Sequence, residues 1–436
     1  MFNKSKKEEV SRREFFKDLG LMAGAGAVVA SMPWLQSCSP QEAVELSGEK
    51  LRVALIGPGS RGNFHLRILN ALPNVEVVAL CDIYEPHFET GLKLFPNAKC
   101  VKDYRQVLDM KDVEAVFVVT PLSEHEHIVL DAISAGKHVF CEKAMARTYE
   151  GCLNMYNAYK NSGQVMFIGQ QRLYDPVYHQ GMKMIHDGVL GKVTGLRTYW
   201  FRNNNWRRPV PSPELERQIN WRLYSEYSAG LMTELASHQL QIGNWALGMV
   251  PNKVVGLGDI TYWKDGREVY DNISLVYQYS NGVKMTYESN IANKYNGLEE
   301  EILCDKGTMK LESGRYYLEE ATPAAGIMQL INKKKKDIFE SVPLASPSWT
   351  PEVAGVKAGL PIMGSQPVEK MPVGNGDGTY QLVEAFCNAA RASKPVAGIV
   401  EEAYYSSILS LMGLQAMDEQ RTVEFPEEYK IAYLKF

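Results

Sequence analysis

The chain has 436 residues, 45% of them hydrophobic and 22% charged, with a formal net charge of −4. That is ordinary globular composition, long enough for two domains with full cores, and its charge balance argues against a nucleic-acid partner. Seven cysteines, with no C-x-x-C and no Cys/His cluster, argue against a disulfide framework or structural zinc, and no metal site is expected.

The first stretch reads as an address. Ser11-Arg12-Arg13-Glu14-Phe15-Phe16-Lys17 is a twin-arginine signature, and the apolar run Leu19–Leu35 behind it is short for a spanning helix. Leu35-Gln36-Ser37-Cys38 has the form of a lipobox, which would make Cys38 a lipidated residue and a membrane tether. Residues 1–38 are therefore expected to direct export to the periplasm or cell envelope, with residues 39–50 as a polar linker.

Leu51–Asp82 reads as strand, glycine-rich turn, helix, strand and acid. Gly57, Gly59 and Gly62 form G-x-G-x-x-G: the first permits the tight turn, the second lets the backbone approach a pyrophosphate, the third lets the helix lie close to the strand. The helix begins at Ser60 and Arg61 with free N–H groups aimed at phosphates. Asp82 falls twenty residues after Gly62, at the end of the apolar run Val75–Cys81, placed to accept from ribose hydroxyls. An acid there repels the extra phosphate of NADP, so NAD is the expected cofactor and NADP the less favoured one; Arg61 is the nearby cation that softens the preference.

Strands and helices then alternate in the pattern of a doubly wound sheet. The strand Ala115–Val119 ends in Thr120-Pro121, and Thr120–His127, including His125, is expected to line the nicotinamide end of a cleft at the strand carboxyl ends. Strand His138–Cys141 ends in Glu142-Lys143, and strand Val165–Ile168 is followed by Gln170-Gln171-Arg172-Leu173-Tyr174-Asp175-Pro176, the crossing into a second domain. Beyond helix Val177–Asp187, the segments Val193–Phe201, Lys253–Trp263, Asn272–Tyr279, Val283–Asn290, Glu300–Cys304 and Thr308–Glu312 alternate as strands, with Asn281-Gly282 as a hairpin signal. The expected architecture is α/β, with an N-terminal Rossmann dinucleotide-binding domain over residues 51–172. A C-terminal α/β domain follows over residues 173–436, with a large, mainly antiparallel, open-faced sheet. Residues 321–380 read as a long loop excursion, and Thr379–Ala392 and Glu401–Glu419 as closing helices.

Lys143, at a strand end facing the cofactor, can donate to a substrate oxygen and stabilise a developing alkoxide. In Gly230–His238, helical spacing puts Glu234 and His238 on one face as an acid/base pair, the acid orienting the ring. Asn203-Asn204-Asn205-Trp206-Arg207-Arg208 and Asn220-Trp221-Arg222 combine aromatic faces with amides and guanidinium groups, a composition suited to sugars.

These residues together resemble the Gfo/Idh/MocA oxidoreductases. The likeness runs from about Leu51 to about Glu320 and is carried by Gly57–Gly62 with Asp82, Thr120-Pro121 with His125, Ala135–Lys143, Arg172–Pro176, Gly188–Val193 and Gly230–His238. It implies that Lys143 matches the lysine of the family's E-K-P motif and His238 the proton-transferring histidine of D-x-x-x-H, with Glu234 in place of the usual Asp. Glu142 and Gln171 are expected cofactor contacts, Arg172, Tyr174 and His238 expected substrate contacts, with Trp206, Arg207 and Trp221 joining them on the sugar-suited composition above, and the resemblance implies a homo-oligomer assembled through the C-terminal sheet. Ala144 departs from the motif's proline, and Ile242 from an acid often found four residues after the histidine, so the catalytic network differs from the usual one.

The resulting expectation is an exported dehydrogenase of a sugar or glycoside hydroxyl that keeps its cofactor bound. A redox-neutral NAD-dependent glycosidase or lyase, working through a transient keto-sugar, and a non-catalytic binding subunit are the alternatives.

Overall fold

A computed structural model describes residues 50–319, 360–362 and 376–432. The twin-arginine segment, Cys38 and most of the 321–380 excursion lie outside the described residues.

Six short strands form the first sheet: β1 Leu51–Ile56, β2 Val75–Cys81, β3 Lys99–Val101, β4 Ala115–Val118, β5 His138–Cys141 and β6 Met166–Ile168, in the order β3-β2-β1-β4-β5-β6. Every pairing is parallel. Strands such as AVFV and HVFC are apolar at consecutive positions because helices cover both faces of the sheet. Leu51, Val53, Leu55, Phe117, Phe140 and Phe167 bury on one face. Ala54, Ile56, Val116, Val118, Val139 and Cys141 bury on the other. The strand order reverses beside β1, so the β1 and β4 carboxyl ends open a crevice there.

The second sheet has nine strands in the order β14-β13-β12-β11-β7-β10-β9-β8-β15. They are β7 Val193–Phe201, β8 Lys253–Asp259, β9 Asn272–Gln278, β10 Lys284–Asn290, β11 Leu298–Cys304, β12 Gly307–Lys310, β13 Arg315–Leu318, β14 Leu360–Pro361 and β15 Val423–Glu424. All pairs are antiparallel except β7 with β10. Gly282, with φ +87°, turns the β9–β10 hairpin. Alternate residues of β8 and β9 face out, leaving Val255, Leu257 and Val276 exposed.

The closing helices do more than finish the second domain. The helix Thr379–Arg391 lays Leu382, Val383, Phe386 and Cys387 onto the first sheet, Phe386 meeting the Phe117 ring edge-on at 5.2 Å. That departs from the expected division at residue 172, which assigned this helix to the second domain. The helix Ile399–Asp418 is buried along nearly its whole length, as an apolar helix wedged between two sheets must be. Its Ser407 Oγ accepts from the Met145 amide at 2.9 Å and its Ser406 Oγ from Gln170 Nε2 at 2.9 Å. Those two bonds fix the loops that follow β5 and β6.

Candidate active site

The glycine turn is built by exclusion. Gly57 has φ +93°, and a Cβ there would lie 2.5 Å from the Val119 carbonyl oxygen. A Cβ on Gly62 would lie 2.2 Å from the Gly57 oxygen. Gly59 is different: a Cβ would meet only the His87 ring, at 3.7 Å, so this glycine faces open space in the cleft. No side chain caps the helix Ser60–Ala71, and its first turn holds no acid, which leaves its N–H groups for an anion.

Asp82 closes this end. One carboxylate oxygen accepts from the Tyr84 amide and the other pairs with His87 Nδ1, each at 2.8 Å. His87 is a member of the site that sequence reasoning missed; its signal was position, five residues past the acid at a helix start. Further along, Thr120 Oγ1 and Gln171 Oε1 are buried with no protein partner, and both residues line the cleft. An uncrowded Gly59, an uncapped helix, an oriented acid and two orphaned polar atoms fit a dinucleotide.

Arg61 is not the ribose-side cation anticipated. Its Nε donates to Glu142 Oε1 at 2.7 Å, across to the end of β5. His65 Nε2 meets the same oxygen at 2.8 Å, and the Lys143 amide donates to Oε2 at 3.1 Å. Burial alone would push the Glu142 carboxyl up, but Arg61 and then His65 outweigh it and hold it well below the usual carboxylate range. His125 is likewise committed elsewhere: its ring nitrogens face the Ala144 and Thr120 carbonyls at 2.9 and 3.1 Å, so it braces the two strand-end loops.

Lys143 Nζ donates to the carbonyls of Thr233 and Glu234, at 3.1 and 2.8 Å. The segment Met232–Ala236 is a π-turn that runs into the helix Ser237–Leu247, where a continuous α-helix was expected. Glu234 and His238 do share the cleft, but they do not form the expected pair. Glu234 Oε2 accepts from Arg222 Nε at 2.7 Å, and among the described residues no group hydrogen-bonds the His238 imidazole. The Glu234 carboxylate lies nearer Arg222, a stronger partner than a neutral ring, so the acid anchors the turn rather than orienting the histidine. Burial, then the Lys143 charge, then Arg172 push His238 well below its usual pKa, so the ring is neutral at pH 7. Burial also lowers the Lys143 pKa.

The opposite wall comes from the second domain: Trp200, Arg202, Trp206, Trp221, Arg222 and Tyr227 face the glycine turn across a cavity of about 830 Å³. The Trp200 ring lies 5.8 Å from the His238 ring. Arg207 lines the cleft too, but is ion-paired with Glu216 and Asp265. Two expected substrate ligands lie elsewhere. Arg172 is buried in the second domain, 2.9 Å from Glu300 Oε1 and 3.4 Å from Glu312 Oε2, and Tyr174 packs on Phe167 with ring centres 6.1 Å apart. Both follow β6 in the crossing, and the charge of Arg172 is drawn toward the buried Glu300 of β11 and the exposed Glu312 beyond β12. Trp200 and Arg202 were missed because they continue a strand pattern, β7, that reads as structural.

Comparison with known proteins agrees with this layout. Residues 51–170 match the family model described as "Oxidoreductase family, NAD-binding Rossmann fold", and residues 178–310 match the Gfo/Idh/MocA C-terminal domain. Together these cover more than half of the chain. An inositol 2-dehydrogenase of Salmonella typhimurium is 36% identical over 145 residues, 33% of this chain and 43% of that protein. An inositol 2-dehydrogenase/D-chiro-inositol 3-dehydrogenase of Lactiplantibacillus plantarum is 31% identical over 198 residues, 44% of this chain and 51% of that protein. The chain thus matches about half the length of these curated relatives. A solved levoglucosan dehydrogenase, in complex with NADH and L-sorbose, superposes with a TM-score of 0.66 at 18% identity, covering 87% of this chain and all of that one.

Proposed function

Because the chain belongs to the Gfo/Idh/MocA oxidoreductases, with an NAD-binding Rossmann domain at its start, we propose that it is an NAD-dependent dehydrogenase acting on a hydroxyl of a sugar, polyol or glycoside. The observation that carries this reading is the convergence on one cleft of the glycine turn, Lys143 and an uncommitted, buried His238.

Gly57–Gly62 and the uncapped helix would hold the NAD pyrophosphate, Asp82 the adenosine ribose, and Thr120 and Gln171 the nicotinamide end. Bound NAD supplies a hydride acceptor. Lys143, held by two carbonyls, directs positive charge at the substrate hydroxyl and stabilises the alkoxide as it forms. His238 is neutral and takes the hydroxyl proton at its imidazole. Arg222 and Glu234 hold the π-turn that carries both carbonyls, and Trp200, Trp206 and Trp221 wall the cleft against water. Purified protein should release NAD(H) on denaturation and show sugar-dependent growth of the reduced-nicotinamide absorbance. Protein without bound cofactor and without affinity for added NAD would return the reading to a binding subunit, and aglycone release with no net reduction would return it to a redox-neutral lyase.

The same reading takes the enzyme out of the cytoplasm. Arg12-Arg13 with the apolar run behind them supports twin-arginine export, and Leu35–Cys38 supports lipidation and a membrane tether. A route that carries folded proteins suits a resident cofactor. Cys38→Ser should move the mature protein from the membrane to the soluble fraction. The exposed Val255, Leu257 and Val276 of the open sheet face support a homo-oligomer, which light scattering would register.

A further inference from the structure

The charges of the cleft do not balance, and their pairing shows which are left over. Its carboxylates are all engaged: Asp82 with His87, Glu142 with Arg61 and His65, Glu234 with Arg222, and Glu124 with His127 at 3.4 Å. Of the cations, Lys102 pairs with Glu85 and Arg207 with Glu216 and Asp265. Among the described residues, Lys143, Arg202 and Arg208 have no carboxylate partner, in a chain whose net charge is −4.

Lys143 has its task in the reaction above. Arg202 and Arg208 do not: the hydroxyls of a neutral sugar could accept from them but would leave their charge uncompensated. Arg202 is partly buried and stacks over Trp200 at 4.6 Å, and Trp200 in turn lies 5.8 Å from the His238 ring. This is the substrate end of the cleft, on the opposite wall from Gly59 and Asp82 where cofactor phosphates belong. Arg202 and the more exposed Arg208 both feel the repulsion of Arg222, whose own partner is Glu234, and of these two only Arg202 also feels the Glu234 carboxylate. Uncompensated cations in a partly desolvated cleft are costly unless an anion completes them.

We propose that the substrate of this cleft carries an anionic group, a sugar carboxylate or phosphate, bound by Arg202 with Arg208 beside it. The proposal rests on the dehydrogenase reading for the site and adds the substrate class. The guanidinium fork of Arg202 matches an anion's oxygens in pairs, while its stacking on Trp200 fixes the plane of the fork. The anion would lie beyond the reacting carbon as seen from Lys143, orienting the ring for proton transfer to His238.

The test uses the full-length protein supplemented with NADH and isothermal calorimetry. The probes are glucose, galactose and mannose, each against its uronate, the methyl ester of that uronate and its 6-phosphate. At low ionic strength at least one anionic sugar should bind about ten- to a hundred-fold more tightly than its neutral counterpart, the advantage shrinking with added salt. The uronate and 6-phosphate arms tell carboxylate from phosphate, and the methyl ester, which keeps size but removes charge, should lose the advantage. Arg202→Gln should bring the anionic-to-neutral ratio toward one, while Arg202→Lys keeps part of it, which separates lost charge from lost folding. Equal or tighter binding of the neutral sugar in every pair, or failure of every anionic sugar to bind, overturns the proposal. Oxidation of neutral sugars alone keeps the dehydrogenase and rejects the anion. Anionic binding without cofactor reduction under NAD keeps the anion and rejects the dehydrogenase.

Discussion

Lys143 Nζ donates to the main-chain carbonyl of Glu234 at 2.8 Å, joining residues 91 apart in sequence. The bond ties the end of β5 in the first sheet to the π-turn ahead of the helix that carries His238. Two carbonyls of this π-turn, those of Thr233 and Glu234, accept from the ammonium group. In the proposed reaction, the lysine is thereby aimed by the element that delivers the base.

Lys143→Met tests this arrangement. It removes the charge and keeps most of the side-chain volume, so kcat should fall by roughly 10²–10⁴-fold while NAD affinity, set at the glycine turn, changes little. Stopped-flow reduction with a saturating substrate, beside calorimetric NAD binding, reads the two effects separately. A variant that loses cofactor binding and keeps kcat would instead make Lys143 a cofactor ligand.

The three glycines of the turn should respond differently to alanine. In Gly57→Ala the new Cβ falls 2.5 Å from the Val119 oxygen at φ +93°, and in Gly62→Ala 2.2 Å from the Gly57 oxygen, so each should lose on the order of 2–4 kcal/mol of stability. In Gly59→Ala the nearest atom is 3.7 Å away, so the melting temperature should hold while NAD affinity drops. Thermal denaturation with and without NAD separates these outcomes. Equal loss of stability at all three positions would refute the assignment of Gly59 to the cofactor.

Local features of the site were legible in the sequence, and long-range pairings were not. Gly57–Gly62, Asp82 and Lys143 could be read because a turn, or an acid or lysine at a strand end, is defined by its neighbours. The Glu234–His238 spacing was legible as well. Its partner was not, because Arg222 reaches Glu234 only after the π-turn and the preceding loop have folded together. Arg61 and Glu142 lie 81 residues apart, and nothing local in Arg61 says that it turns from the ribose toward β5. Arg172 and Tyr174 sit in the expected crossing, but sequence position carries no side-chain direction, and the buried Glu300 decided that of Arg172. The same limit applied to the fold: the first sheet and the six central strands of the second followed from strand patterning, whereas the edge strands β13, β14 and β15 did not, β14 lying within the expected loop excursion, and the packing of Phe386 on Phe117 depends on a chain return that no local pattern encodes.

Arg172→Met addresses stability rather than recognition. Arg172 is buried against Glu300, which also takes hydrogen bonds from Tyr178 at 2.8 Å and Gln239 at 3.1 Å. Removing one partner of a buried pair costs about 3–5 kcal/mol. Burial already pushes Glu300 up to about 7 against the pull of Arg172, so this acid is readily protonated. Without Arg172 the Glu300 pKa rises further, so the stranded carboxylate protonates above pH 7; the gap in stability between wild type and variant should narrow as pH falls toward about 7 and level off below it, where Glu300 is neutral in both. Urea denaturation at pH 8 and pH 5.5 measures it. A variant of normal stability with a raised KM would return Arg172 to the substrate site.

The pH dependence of turnover follows from His238 and Lys143 together. Burial and the Lys143 charge hold the His238 pKa well below 6.5, so the ring stays a competent base as pH falls through 6.5 and is lost only further down. Lys143 is itself lowered from 10.5 by burial, so its charge is lost on the alkaline side before an ordinary lysine would lose it. The kcat/KM profile should be a bell with its acid limb below pH 6.5 and its alkaline limb below pH 10.5. Folding stability shares the acid limb. His65, His125 and His238 all have folded pKa values below the unfolded one, so the unfolded chain binds more protons and stability falls as pH drops below about 6.5. His238→Asn separates the two. It should lower kcat by roughly 10²–10⁴-fold and remove the kinetic acid limb, while His65 and His125 preserve most of the stability trend. An acid limb unchanged in His238→Asn would place the base on another residue of the cleft.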